Sequence, residues 1–358
     1  MTEPAMRTCI VLLCAAFVLC ADACAQTVNI GVLGIFHPTE LLLSAGEKQQ
    51  QLRVSGAGQQ FFVTAGSDCG ALRIRASAHG VSAKCGQKEI RAEEIQTTNR
   101  NRDAAAFVLA VPGKIKREYR GTLRVITKEG VLIPIVEMDL ETAVASVVSA
   151  EMTGDTPLEA LKAQAVAARS FFAASGRRHQ DFDFCDLTHC QFLRGPAPVE
   201  SPAAKAVAET RGMILAYNGK TVAAMFTRSC GGHTRTPKEI GLPAGAYPYF
   251  SVICEFCYKN PVKWTRKVST ADAVVLQSGE AGRLSVGRRM GWNAVPSNNF
   301  SLRRETDGQV LLEGIGQGHG VGLCQRGARA MAENGATFRE ILEHYFPNTT
   351  IEQMRAGL

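Results

Sequence analysis

The feature that most constrains the fold is a change of hydrophobic pattern near Tyr119. From about Thr27 to Pro112, short apolar runs alternate with breaks of Gly, Ser and Asn, which is typical of short β-strands. Two further strands, TLRVITKEG and VLIPIVEM, then lead into strongly helical sequence without a regular βαβ alternation. The pattern predicts an α+β fold, with a small β-rich N-terminal region over residues 26–115 and mixed strands and helices over residues 116–353.

The most clearly marked helix begins near Thr156. Thr156 and Glu159 have the spacing of a capping box, and Pro157 is favoured at the first helical position. The helical run PLEALKAQAVAARSFFAAS is expected to bury one face. The residues of that face are Leu158, Leu161, Ala165 and Phe172.

Three other helices also have recognisable ends. Asp139 is expected to cap a helix that runs through Ser149, and Ser201 opens a second one. Thr337 and Glu340 form a capping box at the start of the last predicted helix.

Residues 1–25 have the pattern of an export signal. Arg7 precedes an apolar run, Cys9–Ala21, that small residues follow. This run is about a dozen residues long, whereas a membrane-spanning helix needs roughly 20. A lipoprotein alternative at Cys20 or Cys24 lacks the leucine of a lipobox. We therefore expect a secreted or periplasmic protein of the cell envelope, with no integral membrane segment after removal of the signal.

The charge balance is mildly basic, with 40 Lys and Arg against 33 Asp and Glu and a net charge of +7. This charge is too small to indicate a nucleic-acid partner, but it suits an anionic polymer.

Eight of the twelve cysteines lie beyond the export signal, and an even number outside the cytoplasm favours disulfides. Cys69 and Cys85 flank a predicted hairpin, which indicates a local disulfide. A second group can form either a metal site or disulfides, with the connectivity open. It comprises Cys230, His233, Cys254, Cys257 and Cys324.

A third group has the pattern H-x5-C-x3-H-C, formed by His179, Cys185, His189 and Cys190. Two imidazoles and two thiolates within twelve residues can close a tetrahedral structural zinc site. Such a site leaves no open coordination position for catalysis. The alternative is a Cys185–Cys190 disulfide with two surface histidines.

Glu151 is the most informative carboxylate. It is expected just past the last turn of the helix from Asp139, where the helix dipole disfavours a second negative charge. Its neighbours Ala150 and Met152 are apolar. Both effects raise the pKa of a carboxyl group, as a general acid near neutral pH requires. The alternative is a solvated glutamate at a helix end.

The segment Gly314–Gly322, GIGQGHGVG, has a glycine at every second position. It is not a phosphate-binding loop, because the lysine of that motif is missing. Glycines at this density let the backbone approach a ligand closely, and His319 lies in the middle of them.

Several long segments in a fixed order resemble the stage II sporulation protein D (SpoIID/LytB) family. They are VVSAEMTGDTPLEALKAQAVAARSF, DLTHCQ, TRGMILAYNGKTVAAMFTRSCGGHT, GRRMGWNAVPSNNF and GQGHGVGLCQRGARAMAENGATFREILEHYFPNT. The likeness runs from about Tyr119 to Thr350. Cys324 and Arg326 stand where many relatives have serine and tyrosine.

The resemblance implies a SpoIID-like catalytic domain over residues 116–353. It also implies a lytic transglycosylase that cleaves peptidoglycan glycan strands after an amidase has removed their peptides, leaving 1,6-anhydro ends. Glu151 corresponds to the family's catalytic glutamate. His179, Cys185, His189 and Cys190 correspond in character to the residues with which some members bind zinc.

Three further residues are predicted to contact substrate, namely Gln164, Arg169 and His319. The expected partners are peptidoglycan glycan strands and a cell-wall amidase. Two other functions are compatible with the sequence. One is a non-catalytic glycan-binding protein that enhances an amidase. The other is a thiol–disulfide protein built on Cys254 and Cys257, which lacks a thioredoxin-like βαβ context.

Overall fold

The computed structural model describes residues 26–47, 50–64, 71–78, 80–243, 245–304 and 308–354. The predicted export signal and Cys69 lie outside these residues. The strands are β1 Thr27–Gly31, β2 Glu40–Ala45, β3 Gln51–Gly56, β4 Gln59–Thr64, β5 Leu72–Ser77, β6 Gly80–Cys85, β7 Lys88–Ala92, β8 Ile95–Asn99, β9 Ala105–Val111, β10 Ile115–Lys128, β11 Val131–Asp139, β12 Phe184–Cys185, β13 Met213–Tyr217, β14 Lys220–Thr221, β15 Phe226–Thr227, β16 Lys263–Ser269, β17 Phe300–Arg304, β18 Gln309–Ile315, β19 Leu323–Cys324 and β20 Thr350–Gln353. The helices are α1 Leu140–Glu151, α2 Leu158–Ser175, α3 Pro202–Glu209, α4 Glu255–Lys259, α5 Thr270–Leu276, α6 Glu280–Met290, α7 Gln325–Glu333 and α8 Phe338–Tyr345.

Strands β1 to β12 form one sheet, in which β10 is the longest strand. The first half of β10 pairs with β9, and the second half pairs with β8 and β11. β11 pairs in turn with β1, so the strands on both sides of residue 115 share one sheet. The predicted α+β class, with a β-rich N-terminal region, is confirmed. The boundary at residue 115 stays a prediction.

Helix α1 brings the chain from the sheet to Glu151. The Asp139 carboxylate caps it by accepting a hydrogen bond of 3.2 Å from the Thr142 backbone N–H, as predicted, a contact that contributes about 1 kcal/mol. The helix runs two residues beyond the predicted end at Ser149, so Glu151 is its last residue rather than lying just past its last turn.

Helix α2 lies at the centre of the helical layer and packs against α1, α3, α7, α8 and β13. Its small side chains are buried on almost all sides rather than on one face, because alanine lets neighbouring elements approach closely. The predicted capping box at its start is wrong. Pro157 takes the cap position without a side-chain bond, and the Glu159 carboxylate accepts from Lys162 and from the backbone N–H of Phe338.

The starts of α3 and α8 follow the sequence pattern. Ser201 caps α3, and the capping box of Thr337 and Glu340 begins α8. Strands β16, β17 and β18 pack with α5 and α6 around a second, smaller core that includes Trp264 and Leu312. Within the described part of the chain, no helix combines the length and the apolar composition needed to cross a bilayer.

Candidate active site

Glu151 ends α1 and is partly buried. Its carboxyl group accepts hydrogen bonds from the Gln325 side chain and from the backbone N–H of Phe192. The guanidinium groups of Arg228 and Arg194 also act on it electrostatically. These four interactions favour the carboxylate, yet burial outweighs them and raises the pKa of Glu151. The site therefore combines a partly desolvated acid with groups that stabilise its conjugate base.

Two short parallel strands bring Gln325 and Arg228 to the site. β15 and β19 pair in register, with Thr227 opposite Cys324, and Arg228 and Gln325 are the next residues along the chain. Gly322 permits this pairing. Its φ of +73° is unfavourable for other residues, and a Cβ there would lie 2.0 Å from the Met225 carbonyl oxygen.

Gln164 lies behind Gln325 and is fully buried. Its Oε1 accepts a hydrogen bond of 3.4 Å from Gln325 Nε2, whereas its own Nε2 finds no protein partner among the described residues. The structure thus connects Gln164 to Glu151 through Gln325. This arrangement suits a residue that positions Gln325 rather than one that contacts substrate.

Arg169 is also fully buried, and its partners differ from those expected of a substrate contact. Its Nη2 and Nε donate to the Glu141 carboxylate at 2.6 and 2.9 Å, and Nη1 donates to the Met213 carbonyl at 3.0 Å. Glu141 lies ten positions before Glu151, or about 15 Å along α1. The structure therefore places Arg169 in the helical core, away from Glu151.

His319 packs beside β15. Its Nδ1 accepts from the Val321 backbone N–H at 3.0 Å, and its ring also bonds to the Phe226 carbonyl. Burial lowers the pKa of His319, although the Glu280 carboxylate opposes that change. The neutral ring supports the strand that carries Arg228, and no described contact joins it to Glu151.

The predicted zinc ligands converge. Among His179, Cys185, His189 and Cys190, the ligand atoms all lie within 4.8 Å of one another, and both thiols are free of disulfides. His179 Nε2 lies 3.4 Å from Cys190 Sγ, and His189 Nδ1 lies 3.5 Å from the same sulfur. These residues fit a tetrahedral zinc ion, and the alternative Cys185–Cys190 disulfide is absent. Cys85 is disulfide-bonded, but its predicted partner Cys69 lies outside the described residues, so that pairing stays a prediction.

Four contacts of Glu151 were missed in the sequence: those to Gln325, Arg228, Phe192 and Arg194. Gln325 and Arg228 lie within the segments GHGVGLCQRGA and FTRSCGG, whose most conspicuous residues are glycines and cysteines. The available signal was a polar residue close to each of two cysteines, since Gln325 directly follows Cys324 and Arg228 precedes Cys230 by two positions. A cavity of about 460 Å³ lies elsewhere, between α4, α7 and α8, and Glu151 does not line it.

Comparisons with known proteins match this region. The sequence model of a family described as "Stage II sporulation protein" matches residues 128–217, which include Glu151 and the zinc-ligand group. An uncharacterized protein of Brachyspira hyodysenteriae is 31% identical, over 65% of this chain and 72% of the relative. Stage II sporulation protein D of Bacillus subtilis is 29% identical, over 63% of this chain and 77% of that protein. A protein of the same species named "Amidase enhancer" is 24% identical over 57% of this chain, a match that spans 39% of the enhancer.

Proposed function

The chain belongs to the stage II sporulation protein D family, and from this premise we propose that it is an exported lytic transglycosylase of the bacterial cell wall. Glu151 is the proposed general acid and base. The observation that carries the proposal is the position of this carboxyl group at the end of α1, where burial raises its pKa among donors that stabilise the charged form.

The chemistry needs only one carboxyl group. Protonated Glu151 gives its proton to the glycosidic oxygen as the bond from that oxygen to the anomeric carbon breaks. The resulting carboxylate then takes the proton of the sugar's own C6 hydroxyl, which attacks the anomeric carbon and closes a 1,6-anhydro ring. Water takes no part, so the second carboxylate of ordinary glycosidases is not required. Gln325 and the Phe192 N–H stabilise the carboxylate between the two steps.

The charges around Glu151 support a substrate class. Arg194 and Arg228 are exposed, and neither forms an ion pair with a carboxylate within 4 Å among the described salt bridges. Removal of the peptide from a muramic acid residue leaves a lactyl carboxylate close to the glycosidic bond. We assign recognition of this carboxylate to the two arginines. Its binding would offset their effect on Glu151, leaving the acid form more stable when substrate is present.

The zinc-ligand group supports the site indirectly. We propose that His179, Cys185, His189 and Cys190 hold a structural zinc ion, which would fix the loop that continues into Phe192. A closed site of this kind supplies stability and takes no part in proton transfer.

The test is to incubate the purified protein and its Glu151→Gln variant with peptide-free glycan strands. Mass spectrometry then measures the release of anhydro-ended fragments. General acid–base catalysis contributes about 10²- to 10⁴-fold to a rate. We therefore expect the variant to release fragments at least about 10²-fold more slowly than the wild type. Asp155→Asn is the matched control. Asp155 lies four residues after Glu151, and its exposed carboxylate pairs with Arg329.

Unfolding of Glu151→Gln is not expected to explain the loss. Because the pKa of Glu151 is raised in the folded chain, that chain binds more protons than the unfolded chain at pH values above the ordinary pKa of 4.5. The free energy of unfolding therefore falls as the pH rises from 4.5 towards the raised pKa. Gln removes this effect, and thermal unfolding near pH 7 should show a variant at least as stable as the wild type. A wild-type protein that binds glycan strands, enhances an added amidase and releases no anhydro ends would overturn the proposal in favour of a non-catalytic enhancer.

A further inference from the structure

The second cysteine group also converges, although its members come from distant parts of the chain. Cys230 follows β15, Cys254 and Cys257 flank the start of α4, and Cys324 ends β19. All four side chains are buried, and their sulfur atoms lie within 4.8 Å of one another. None of the four forms a disulfide.

The sulfur separations are those of a metal site rather than of two disulfides. Cys257 Sγ and Cys324 Sγ are 3.5 Å apart, far beyond the roughly 2.05 Å of an S–S bond. Four thiolates bound tetrahedrally at about 2.3 Å around zinc stand about 3.8 Å from one another. Thiolates around a cluster of several iron atoms stand further apart, so the space suits a single ion.

We propose that Cys230, Cys254, Cys257 and Cys324 bind one structural zinc ion. The Cys254-x-x-Cys257 spacing is common in such sites, and the other two ligands complete a four-sulfur set. The set is distinct from the group around His179, and it differs from the C-x2-H and C-x2-C pairing that the sequence suggests. His233, the histidine of that pattern, is exposed and is not a member of the cluster.

Hydrogen-bond donors surround the four sulfurs. The Cys230 backbone N–H lies 3.4 Å from Cys324 Sγ, and the Tyr345 hydroxyl lies 3.3 Å from Cys254 Sγ. The Ser229 hydroxyl lies 3.5 Å from Cys257 Sγ. Donors of this kind orient thiolate ligands and compensate their negative charge.

A glycine makes room for the cluster where α7 begins. A Cβ on Gly327 would lie 2.5 Å from Cys254 Sγ and 1.9 Å from the Tyr345 hydroxyl. The absence of a side chain at this position lets α7 pack directly against the cluster.

The position of the cluster gives the ion a role in the site. Cys230 lies two residues after Arg228, and Cys324 directly precedes Gln325. An ion bound here would hold β15 and β19 together and fix the two segments whose side chains act on Glu151. These cysteines are therefore positioning residues.

The test is metal analysis of the purified full-length protein by inductively coupled plasma mass spectrometry. We expect Cys254→Ser and Cys324→Ser each to lose about one zinc equivalent relative to the wild type. His233→Ala, a control that alters a potential ligand three residues after Cys230 but outside the cluster, should keep the wild-type metal content. Because His179 and its group are separate, the Cys254→Ser loss is expected whether or not those residues bind metal.

A second measurement needs no variant. The wild-type protein is denatured with a chelator and without reductant, then alkylated and mapped by peptide mass spectrometry. We expect all four cysteines to be alkylated. Disulfide-linked peptides that contain any of them, iron in place of zinc, or a Cys254→Ser protein with undiminished zinc would each overturn the proposal, and none of these results bears on whether Glu151 cleaves glycan strands.

Discussion

The described residues form two four-ligand clusters, and each adjoins in sequence residues that act on the same carboxyl group, that of Glu151. The local cluster, His179, Cys185, His189 and Cys190, lies within a dozen residues and precedes the segment that carries Phe192 and Arg194. The distant cluster, Cys230, Cys254, Cys257 and Cys324, spans residues 230–324 and adjoins Arg228 and Gln325. Each cluster is thus next in sequence to a pair of residues that acts on Glu151.

The two pairs do not act equally on Glu151. Among the interactions that lower its pKa, the hydrogen bond from Gln325 is the largest and the charge of Arg228 comes next. The hydrogen bond from Phe192 and the charge of Arg194 are smaller. The comparison teaches that the segments held by the distant cluster influence the proposed acid more than the segment held by the local one.

The largest expected difference between the clusters is in stability. A crosslink over residues 230–324 closes a loop roughly eightfold longer than one over residues 179–190, which is about three doublings at about 0.6 kcal/mol each. We expect Cys254→Ser to lower the free energy of unfolding by about 2 kcal/mol more than Cys185→Ser does. Urea unfolding of the zinc-loaded wild type and of both variants, each purified with the metal that it retains, checks this.

Equal losses in the two variants would contradict the argument from loop length. They would indicate that each cluster stabilises only its immediate surroundings. His233→Ala serves as the control for a substitution that removes no ligand.

The difference between the clusters also explains how much of the site could be predicted from the sequence. The local cluster was identifiable because four potential ligands, two histidines and two cysteines, within a dozen residues can meet whatever the rest of the fold does. The distant cluster could not be assigned, because its four cysteines meet only after β15 and β19 pair. The spacing of the sequence also indicates His233 as a ligand, but in the fold this side chain is exposed and lies outside the cluster.

The same reasoning applies to helices and to buried charge. Asp139 and Thr337 act within one turn of their own helices, so their roles were predictable. Glu159 has the spacing of a capping residue but bonds instead to the Phe338 N–H, a partner from α8. The sequence predicts Arg169 as a substrate contact, and that prediction is wrong because its partner Glu141, 28 positions away in α1, is revealed only by helix packing.

The second prediction concerns Gln325. Replacing it by Leu removes the hydrogen bond that lowers the pKa of Glu151 most. Burial, which raises that pKa, is then less opposed, so the pKa of Glu151 rises further. The acid form then persists to higher pH, and the alkaline limb of the kcat/KM profile shifts to higher pH. To check this, kcat/KM for the release of anhydro-ended fragments from peptide-free glycan is measured from about pH 4 to about pH 9.

Gln325→Glu is the informative companion variant. A second carboxylate beside Glu151 raises its pKa by like-charge repulsion once residue 325 is ionised, so the alkaline limb should again move upward. A kcat/KM profile that falls in height without moving along the pH axis in either variant would mean that Gln325 is only a packing residue.

The smallest expected effect separates Arg228 from Arg194. Both are exposed cations that lower the pKa of Glu151, and Arg228 has the larger influence. Arg228→Gln should therefore move the alkaline limb to higher pH by more than Arg194→Gln does. Because exposed charges are screened by salt, both shifts should shrink as the ionic strength rises, whereas the Gln325→Leu shift should persist. Identical shifts for the two arginines, or shifts that are insensitive to salt, would remove the distinction between the segments that adjoin the two clusters.

The proposed recognition of a lactyl carboxylate adds a second readout. Each arginine variant should raise KM for peptide-free glycan more than it lowers kcat, since a contact made equally in the ground state and the transition state affects binding alone.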